Sequence, residues 1–330
     1  MTQEYYFESL KYTKILFWGR IFKMASINSS IKSGKSRRAI KRNLIGFAFI
    51  SPWLIGFLGF ILGPVIASLY LSFTDYDLLS SPTWIGLDNY IKMFTNDSRF
   101  WGSLTVTLIF VAVAVPLKLV FSLFIAMLFN TSFKGTKLYT LIFYIPSILG
   151  GSVAVSVMWR ELFGSQGVVN ALFAILGLPT SDWVNNPDYA LSVIILLIVW
   201  QFGAPMLIFL AALKDIPNEL YDAASVDGAN FLSRFFKITI PMITPIIFFN
   251  LVMQMITGFM TFTQAYIITE GGPLDKTLVY ALYLYQNAFE FYKMGYASAM
   301  AWVLLFIIVV ITALIFKSSK SWVFYQSGDE

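Results

Sequence analysis

Six long apolar runs dominate the chain, and they restrict its possible folds more than any other feature. Each run reaches or exceeds the roughly 20 residues that an α-helix needs to cross a bilayer. The runs are continuous rather than alternating, which favours helices over the strands of a membrane barrel. We therefore predict an all-α, polytopic membrane protein with spanning helices at 44–73, 103–129, 139–162, 190–213, 238–268 and 295–316.

The distribution of Lys and Arg predicts how these helices are oriented. Ten of the 23 basic residues precede the first run, and an even number of spans puts both chain ends on one side. If that side is the cytoplasm, 17 of the 23 lie inside, as the positive-inside rule requires. The predicted organisation is a cytoplasmic N-terminal tail (1–43), a six-helix transmembrane domain (44–318) and a cytoplasmic C-terminal tail (319–330).

The N-terminal tail has two interpretations that the sequence leaves open. Its aromatic and basic residues favour an amphipathic helix over residues 5–24, lying on the inner leaflet with Lys side chains reaching the head groups. The alternative is a disordered tail, with translation starting later, at Met24.

The composition argues against an enzyme with its own cofactor. The chain has no Cys and no His, so disulfides, thiolate or imidazole catalysis and the usual transition-metal sites are excluded. The Gly34-Lys35-Ser36 segment looks like the end of a phosphate-binding loop, but Ser29 stands where the first glycine belongs. We expect no metal, no cofactor and no ATP hydrolysis by this chain.

A polar insert over residues 214–241 separates the fourth and fifth apolar runs. Pro217 and Glu219 favour a short helix that begins there, because proline pre-sets φ and an acid suits the helix N-terminus. Gly228 then permits a bend, and Pro241 is predicted to start the next apolar run. The insert is expected to lie at the membrane surface as a rigid helix-turn element.

A polar stripe is predicted in the fifth run, at intervals of four, three, four and three residues. That spacing puts the side chains on one helix face. Polar groups facing lipid are costly, so the stripe must face another helix or a wet cavity. Trp200 and Gln201 in the fourth run are candidates to join such a cavity, since an amide and an indole suit a sugar. The stripe is Asn250, Gln254, Thr257, Thr261 and Gln264.

Lys118 is the single basic residue within the second apolar run. Two roles are favoured over substrate contact: snorkelling of its side chain towards the inner surface, or pairing with a partner subunit.

The insert resembles the cytoplasmic signature of the permease subunits of binding-protein-dependent ABC importers. That signature is Glu-Ala-Ala, three residues, Gly, nine residues and Ile-x-Leu-Pro; here Asp222 replaces Glu, Ile240 replaces Leu, and the spacing is intact. Segments 84–90, 270–273 and 295–299 look like the carbohydrate-type branch of that family.

The resemblance implies a type I ABC importer permease fold that forms a translocation path for a mono- or oligosaccharide. It also implies a second, homologous permease subunit, a cytoplasmic ATPase dimer that hydrolyses ATP, and an extracytoplasmic solute-binding protein, all in a bacterial cell membrane. By motif match it assigns coupling to the ATPase to Glu219, Asp222, Ala223, Ala224, Asp227, Gly228 and Pro241.

Two other functions stay open on the sequence. The same machinery accommodates glycerol phosphate or another polyol derivative, because nothing outside the motifs fixes the ligand. A secondary carrier that uses no ATP is the remote alternative, and the surface insert with its fixed spacing disfavours it.

Overall fold

The computed structural model describes residues 47–131 and 135–324. The predicted N-terminal tail, with its amphipathic segment, and the last six residues of the predicted C-terminal tail lie outside the described residues. Two units divide between Ala67 and Ser68, and the elements of the functional sites below all belong to the second.

Among the described residues, four helices are long and apolar enough to cross a membrane, and two bent helix pairs bring the number to six if each pair is one span. The unbroken helices are α1 (Phe47–Ser72), α3 (Ser98–Phe129), α10 (Phe231–Phe259) and α13 (Met294–Ser319). The bent pairs are α4 (Thr136–Leu149) with α5 and α6 (together Val153–Ile175), and α7 (Ala190–Trp200) with α8 (Gly203–Lys214). The predicted all-α membrane fold is confirmed.

Shorter elements connect these helices. They are β1 (Thr74–Asp75) and β2 (Thr83–Trp84), which pair antiparallel, α2 (Asp88–Thr95), α9 (Asn218–Val226), α11 (Thr263–Ile268) and α12 (Tyr280–Tyr285). Within Val153–Ile175, α5 covers Val153–Phe163 and α6 covers Val168–Ile175.

Helix α3 is the centre of the second unit. It packs against α7, α8, α10 and α12, and its side chains Phe110 and Ala114 are fully buried in the shared apolar core. Asp97 begins the helix, because its carboxylate accepts a hydrogen bond from the Phe100 backbone N–H at 3.0 Å. Tyr283 also donates to that carboxylate, at 2.7 Å, so one acid both caps α3 and joins it to α12.

The third predicted span, 139–162, is not one continuous helix. The chain bends by 95° between Leu149 and Val153, where Gly150-Gly151-Ser152 interrupts the helix. Glycine pairs lower helix propensity, and the Ser152 hydroxyl accepts from the Val155 N–H at 3.3 Å, which begins a new helix.

The fourth predicted span, 190–213, is also broken, with a bend of 43° at Gln201 and Phe202. The physical reason is Pro205. Proline has no N–H, so in a continuous helix the carbonyl of Gln201, four residues earlier, would lose its partner.

The fifth predicted span, 238–268, has both ends misplaced. Helix α10 begins seven residues earlier, at Phe231, and ends at Phe259. Pro241 therefore lies inside a helix rather than at its start. A π-helical turn at Phe235–Thr239 precedes the proline, and there the Ile240 N–H bonds to the Phe235 carbonyl. This wider turn carries the chain into the proline without ending the helix.

Gly295 lets α13 lie directly against β1, and this contact gives a test of the packing. A Cβ at Gly295 would overlap the Thr74 carbonyl oxygen, whereas a Cβ at Gly102 on α3 would meet nothing within 4 Å. We expect Gly295→Ala to destabilise the protein by about 1–3 kcal/mol and to lower its thermal unfolding midpoint by several degrees. The matched control Gly102→Ala should leave the midpoint unchanged or raise it, since Ala is the better helix former. An unchanged midpoint for Gly295→Ala would contradict the close approach.

Candidate functional site

A cavity of about 340 Å³ lies where the broken fourth span meets α3, α10 and α11. Its apolar walls include Phe110 and Ala114 of α3, Ile198 of α7, and Phe262 between α10 and α11. Its polar lining comes from three helices, α3, α10 and α11, and from the breaks that follow α7 and α10. The polar members are Lys118, Gln201, Gln254, Thr257, Thr261, Thr263 and Gln264.

The predicted stripe reaches this cavity by a route that the periodicity did not indicate. Gln254 and Thr257 lie on the last turns of α10, Thr261 lies in the break after Phe259, and Gln264 lies on α11. The prediction of one continuous helix face is therefore wrong, yet these four side chains line the same space. The break turns the chain around the cavity rather than away from it.

Asn250 is the one residue of the predicted stripe that does not line the cavity. It is 1% exposed, and its amide donates to the Ile246 carbonyl of its own helix at 3.2 Å. Trp200 is likewise outside the lining, because its ring packs on Trp159 with 5.6 Å between ring centroids.

Gln201 has two roles in the structure. It lines the cavity, and its side-chain amide donates to the Gly150 carbonyl at 3.0 Å. The Ser147 hydroxyl in turn donates to the Gln201 backbone carbonyl at 3.0 Å. The two helix breaks are thus hydrogen-bonded to each other, and both freed carbonyls are satisfied away from water.

Lys118 faces the same cavity. Its residue is only 8% exposed, and within the part of the chain that the structure describes its ammonium has no carboxylate partner. Sequence reasoning favoured snorkelling or subunit pairing for this residue. The signal that it missed is the position of Lys118 on one helix face with Ala114 and Ser122, four residues to either side, which marks a face turned away from lipid. Thr263 is a polar lining residue that the sequence did not single out.

The second candidate site is the surface knuckle, formed by α9 and the turn after it, residues 218–230. Gly228 has φ of +71°, a conformation that glycine adopts at little cost. The Ala229 N–H bonds to the Ala224 carbonyl at 2.9 Å, which closes the helix C-terminus as in a Schellman motif. Asn230 then begins α10 by accepting from the Ser233 N–H at 2.8 Å.

The knuckle is exposed at its tip and anchored at its base. Of the coupling residues predicted from the resemblance, Ala224 is partly buried. The exposed ones are Glu219, Asp222, Ala223, Asp227 and Gly228. Pro241 lies apart from the tip, inside α10.

Two side-chain contacts anchor the base. The hydroxyls of Tyr221 and Thr239 are 2.9 Å apart, and the Arg234 guanidinium donates to the Ser225 hydroxyl at 3.1 Å. Both contacts join α9 to the first turns of α10.

Comparison with known proteins agrees with the resemblance seen in the insert. The family described as binding-protein-dependent transport system inner membrane component matches residues 93–320. The probable ABC transporter permease protein YesP of Bacillus subtilis is 59% identical over 299 residues, covering 90% of this chain and 97% of that protein. The lactose transport system permease protein LacF of Rhizobium radiobacter is 32% identical, covering 86% and 98%.

A solved structure supports the fold. The bacterial ABC transporter involved in the import of the acidic polysaccharide alginate contains a chain with a TM-score of 0.74 and 24% identity, covering 86% of this chain and 97% of that one. The family match over residues 93–320 and these permease relatives show that the chain belongs to the family of binding-protein-dependent ABC transporter inner membrane components.

Proposed function

We propose that this chain is the permease subunit of an ATP-driven importer for carbohydrate, either a monosaccharide or an oligosaccharide. One observation carries the proposal: a single helix, α10, joins the knuckle to the cavity. Thr239 near one end contacts the knuckle, and Gln254 near the other lines the cavity. The 15 residues between them correspond to roughly 22 Å of helix, so a displacement of the knuckle is transmitted to the cavity wall.

The tip of the knuckle suits docking to a partner ATPase. Val226 is 88% exposed and Phe231, the first residue of α10, is also exposed, while Ala223 and Gly228 present almost no side chain. Small residues let a helix end enter a groove, and the apolar pair supplies area that gains from burial. We assign the docking partner as a cytoplasmic ATPase dimer, which places the knuckle and both chain ends on the cytoplasmic side of the membrane.

The mechanism that follows is alternating access. Closure of the ATPase dimer on ATP draws its two docked knuckles together, one from this chain and one from a second, homologous permease subunit. Helix α10 then moves the cavity wall, so that the cavity opens to the outside and receives solute from an extracytoplasmic binding protein. ATP hydrolysis in the partner resets the assembly, and this chain performs no chemistry of its own.

The cavity chemistry supports a sugar. Within the described residues, the side-chain amide of Gln254 has no hydrogen-bond partner, so both its donor and its acceptor are available to hydroxyl groups. Phe110 and Phe262 supply apolar surface for the face of a pyranose ring. The volume, about 340 Å³, is within the usual range for small-ligand sites.

A second candidate is glycerol phosphate or another polyol derivative in the same machinery. The observation that favours it is a relative, the sn-glycerol-3-phosphate transport system permease protein UgpA of Shigella flexneri, at 31% identity over 297 residues. The secondary carrier is a weaker alternative, because the cavity lining contains no Asp or Glu to relay protons.

The knuckle can be tested by Gly228→Asp. We expect the variant to assemble in the membrane but to lose most solute uptake, because a charged side chain at the tip obstructs docking. Gly177→Asp is the matched control, since Gly177 is exposed, has a similar φ of +66° and, like Gly228, has no neighbouring atom within 4 Å of an added Cβ. The measurement is uptake and solute-stimulated ATP hydrolysis in the reconstituted complex. Normal uptake by Gly228→Asp, or equal loss in the control, would count against coupling through the knuckle.

The cavity can be tested by Gln254→Leu. Loss of one hydrogen bond to the solute costs about 1 kcal/mol, so we expect the solute concentration for half-maximal uptake to rise about fivefold or more. The comparison is Asn250→Leu, one helical turn away and outside the lining, which should leave that concentration unchanged. Identical kinetics for the two variants would assign both amides to helix packing.

A further inference from the structure

Lys118 is a buried cation in a site that contains no anion. The residue is 8% exposed and lines the cavity, and no Asp or Glu is among the lining residues. The ion pairs within the described residues are Arg99 with Asp275 and Arg160 with Glu161, so Lys118 takes part in neither.

Snorkelling does not account for this lysine. Eleven residues separate Lys118 from Phe129 at the end of α3, which is roughly 16 Å of helix and far beyond the reach of a four-carbon side chain. The turn that carries Lys118 is also fixed, because the Ser122 hydroxyl lies 2.6 Å from the Lys118 backbone carbonyl and 3.0 Å from that of Phe202. The backbone that carries Lys118 is thus fixed beside the break in the fourth span.

A buried ammonium without a counter-ion is unfavourable by several kcal/mol, and the cavity is the space from which a counter-ion can reach it. The other polar groups around that space are neutral amides and hydroxyls. The arrangement is one positive charge surrounded by groups that hydrogen-bond sugar hydroxyls.

We infer that Lys118 pairs with a carboxylate of the transported saccharide, so that the substrate is an acidic sugar containing uronic acid. This inference rests on the proposed import of carbohydrate and specifies its substrate class. A carboxylate carries one negative charge and matches a single ammonium. A phosphate monoester carries about −1.5 to −2 at neutral pH and would leave charge uncompensated. A neutral sugar fills the cavity but leaves the ammonium unpaired, which is how such sites reject an analogue.

The experiment measures uptake by proteoliposomes that contain the full complex with its binding protein. Three probes are compared: a disaccharide with one uronic acid residue, the matched disaccharide with a hydroxymethyl group in place of that carboxylate, and a hexose phosphate. We expect wild-type protein to take up the uronic acid disaccharide at least tenfold faster than either of the others.

Substitutions then assign that preference to one side chain. Lys118→Met should reduce uptake of the acidic disaccharide at least tenfold without a comparable reduction for the neutral one, and Lys118→Arg, which keeps the charge, should retain most uptake. Lys317→Met makes the same chemical change at the exposed end of α13 and should have no effect. If Lys118→Met does not assemble, the substrate preference of the wild-type protein and the uptake by Lys118→Arg still test the inference.

Three results would overturn the inference: a wild-type preference for the neutral disaccharide, a preference for the hexose phosphate, or wild-type uptake of the acidic disaccharide by Lys118→Met. The first leaves the proposed carbohydrate importer intact. Absence of ATP-dependent uptake for every saccharide, with or without charge, would instead overturn the proposed function itself.

Discussion

The cavity depends on one constraint: in an apolar layer, every backbone group that a helix break releases must find another partner. The breaks at Gly150–Ser152 and at Gln201–Phe202 satisfy that requirement with each other and with α3. Gln201 donates to the Gly150 carbonyl, Ser147 donates to the Gln201 carbonyl, and Ser122 lies within hydrogen-bond distance of the Phe202 carbonyl. Because these partners come from neighbouring spans, the breaks also fix the spans relative to each other.

The same contacts lie next to the charged residue of the cavity. Ser122 contacts both the broken fourth span and the turn of α3 that carries Lys118. A buried lysine is costly within a membrane-spanning helix, and here Ser122 joins the turn that carries it to the broken fourth span. Gln201 combines the two functions in one residue, since it closes a break and lines the cavity.

The features that depend on length and hydropathy, the all-α membrane fold and its spans, were predicted well from the sequence. The family suggested by the insert motif agreed with the family match. The sequence predicted the helix interruptions poorly, because a hydropathy pattern continues through Gly150-Gly151-Ser152 although the helix does not. Pro205 and the glycine pair were available signals for both broken spans. The position of Lys118 at the cavity could not be predicted for another reason: which helices surround a cation decides what it faces, and one helix's periodicity does not contain that information.

Helix α10 shows how one element serves both sites. Pro241 and Pro245 both lie near its knuckle end, and the carbonyl that Pro245 leaves without a backbone partner, that of Pro241, accepts from the Thr244 hydroxyl at 2.7 Å. Prolines and π-helical turns are where helices bend, and here they lie together between the knuckle and the cavity. The stretch from Ile246 to Phe259 has neither feature. In the proposed mechanism, bending is therefore confined to the base of α10, and the cavity wall shifts as a unit when the knuckle is displaced.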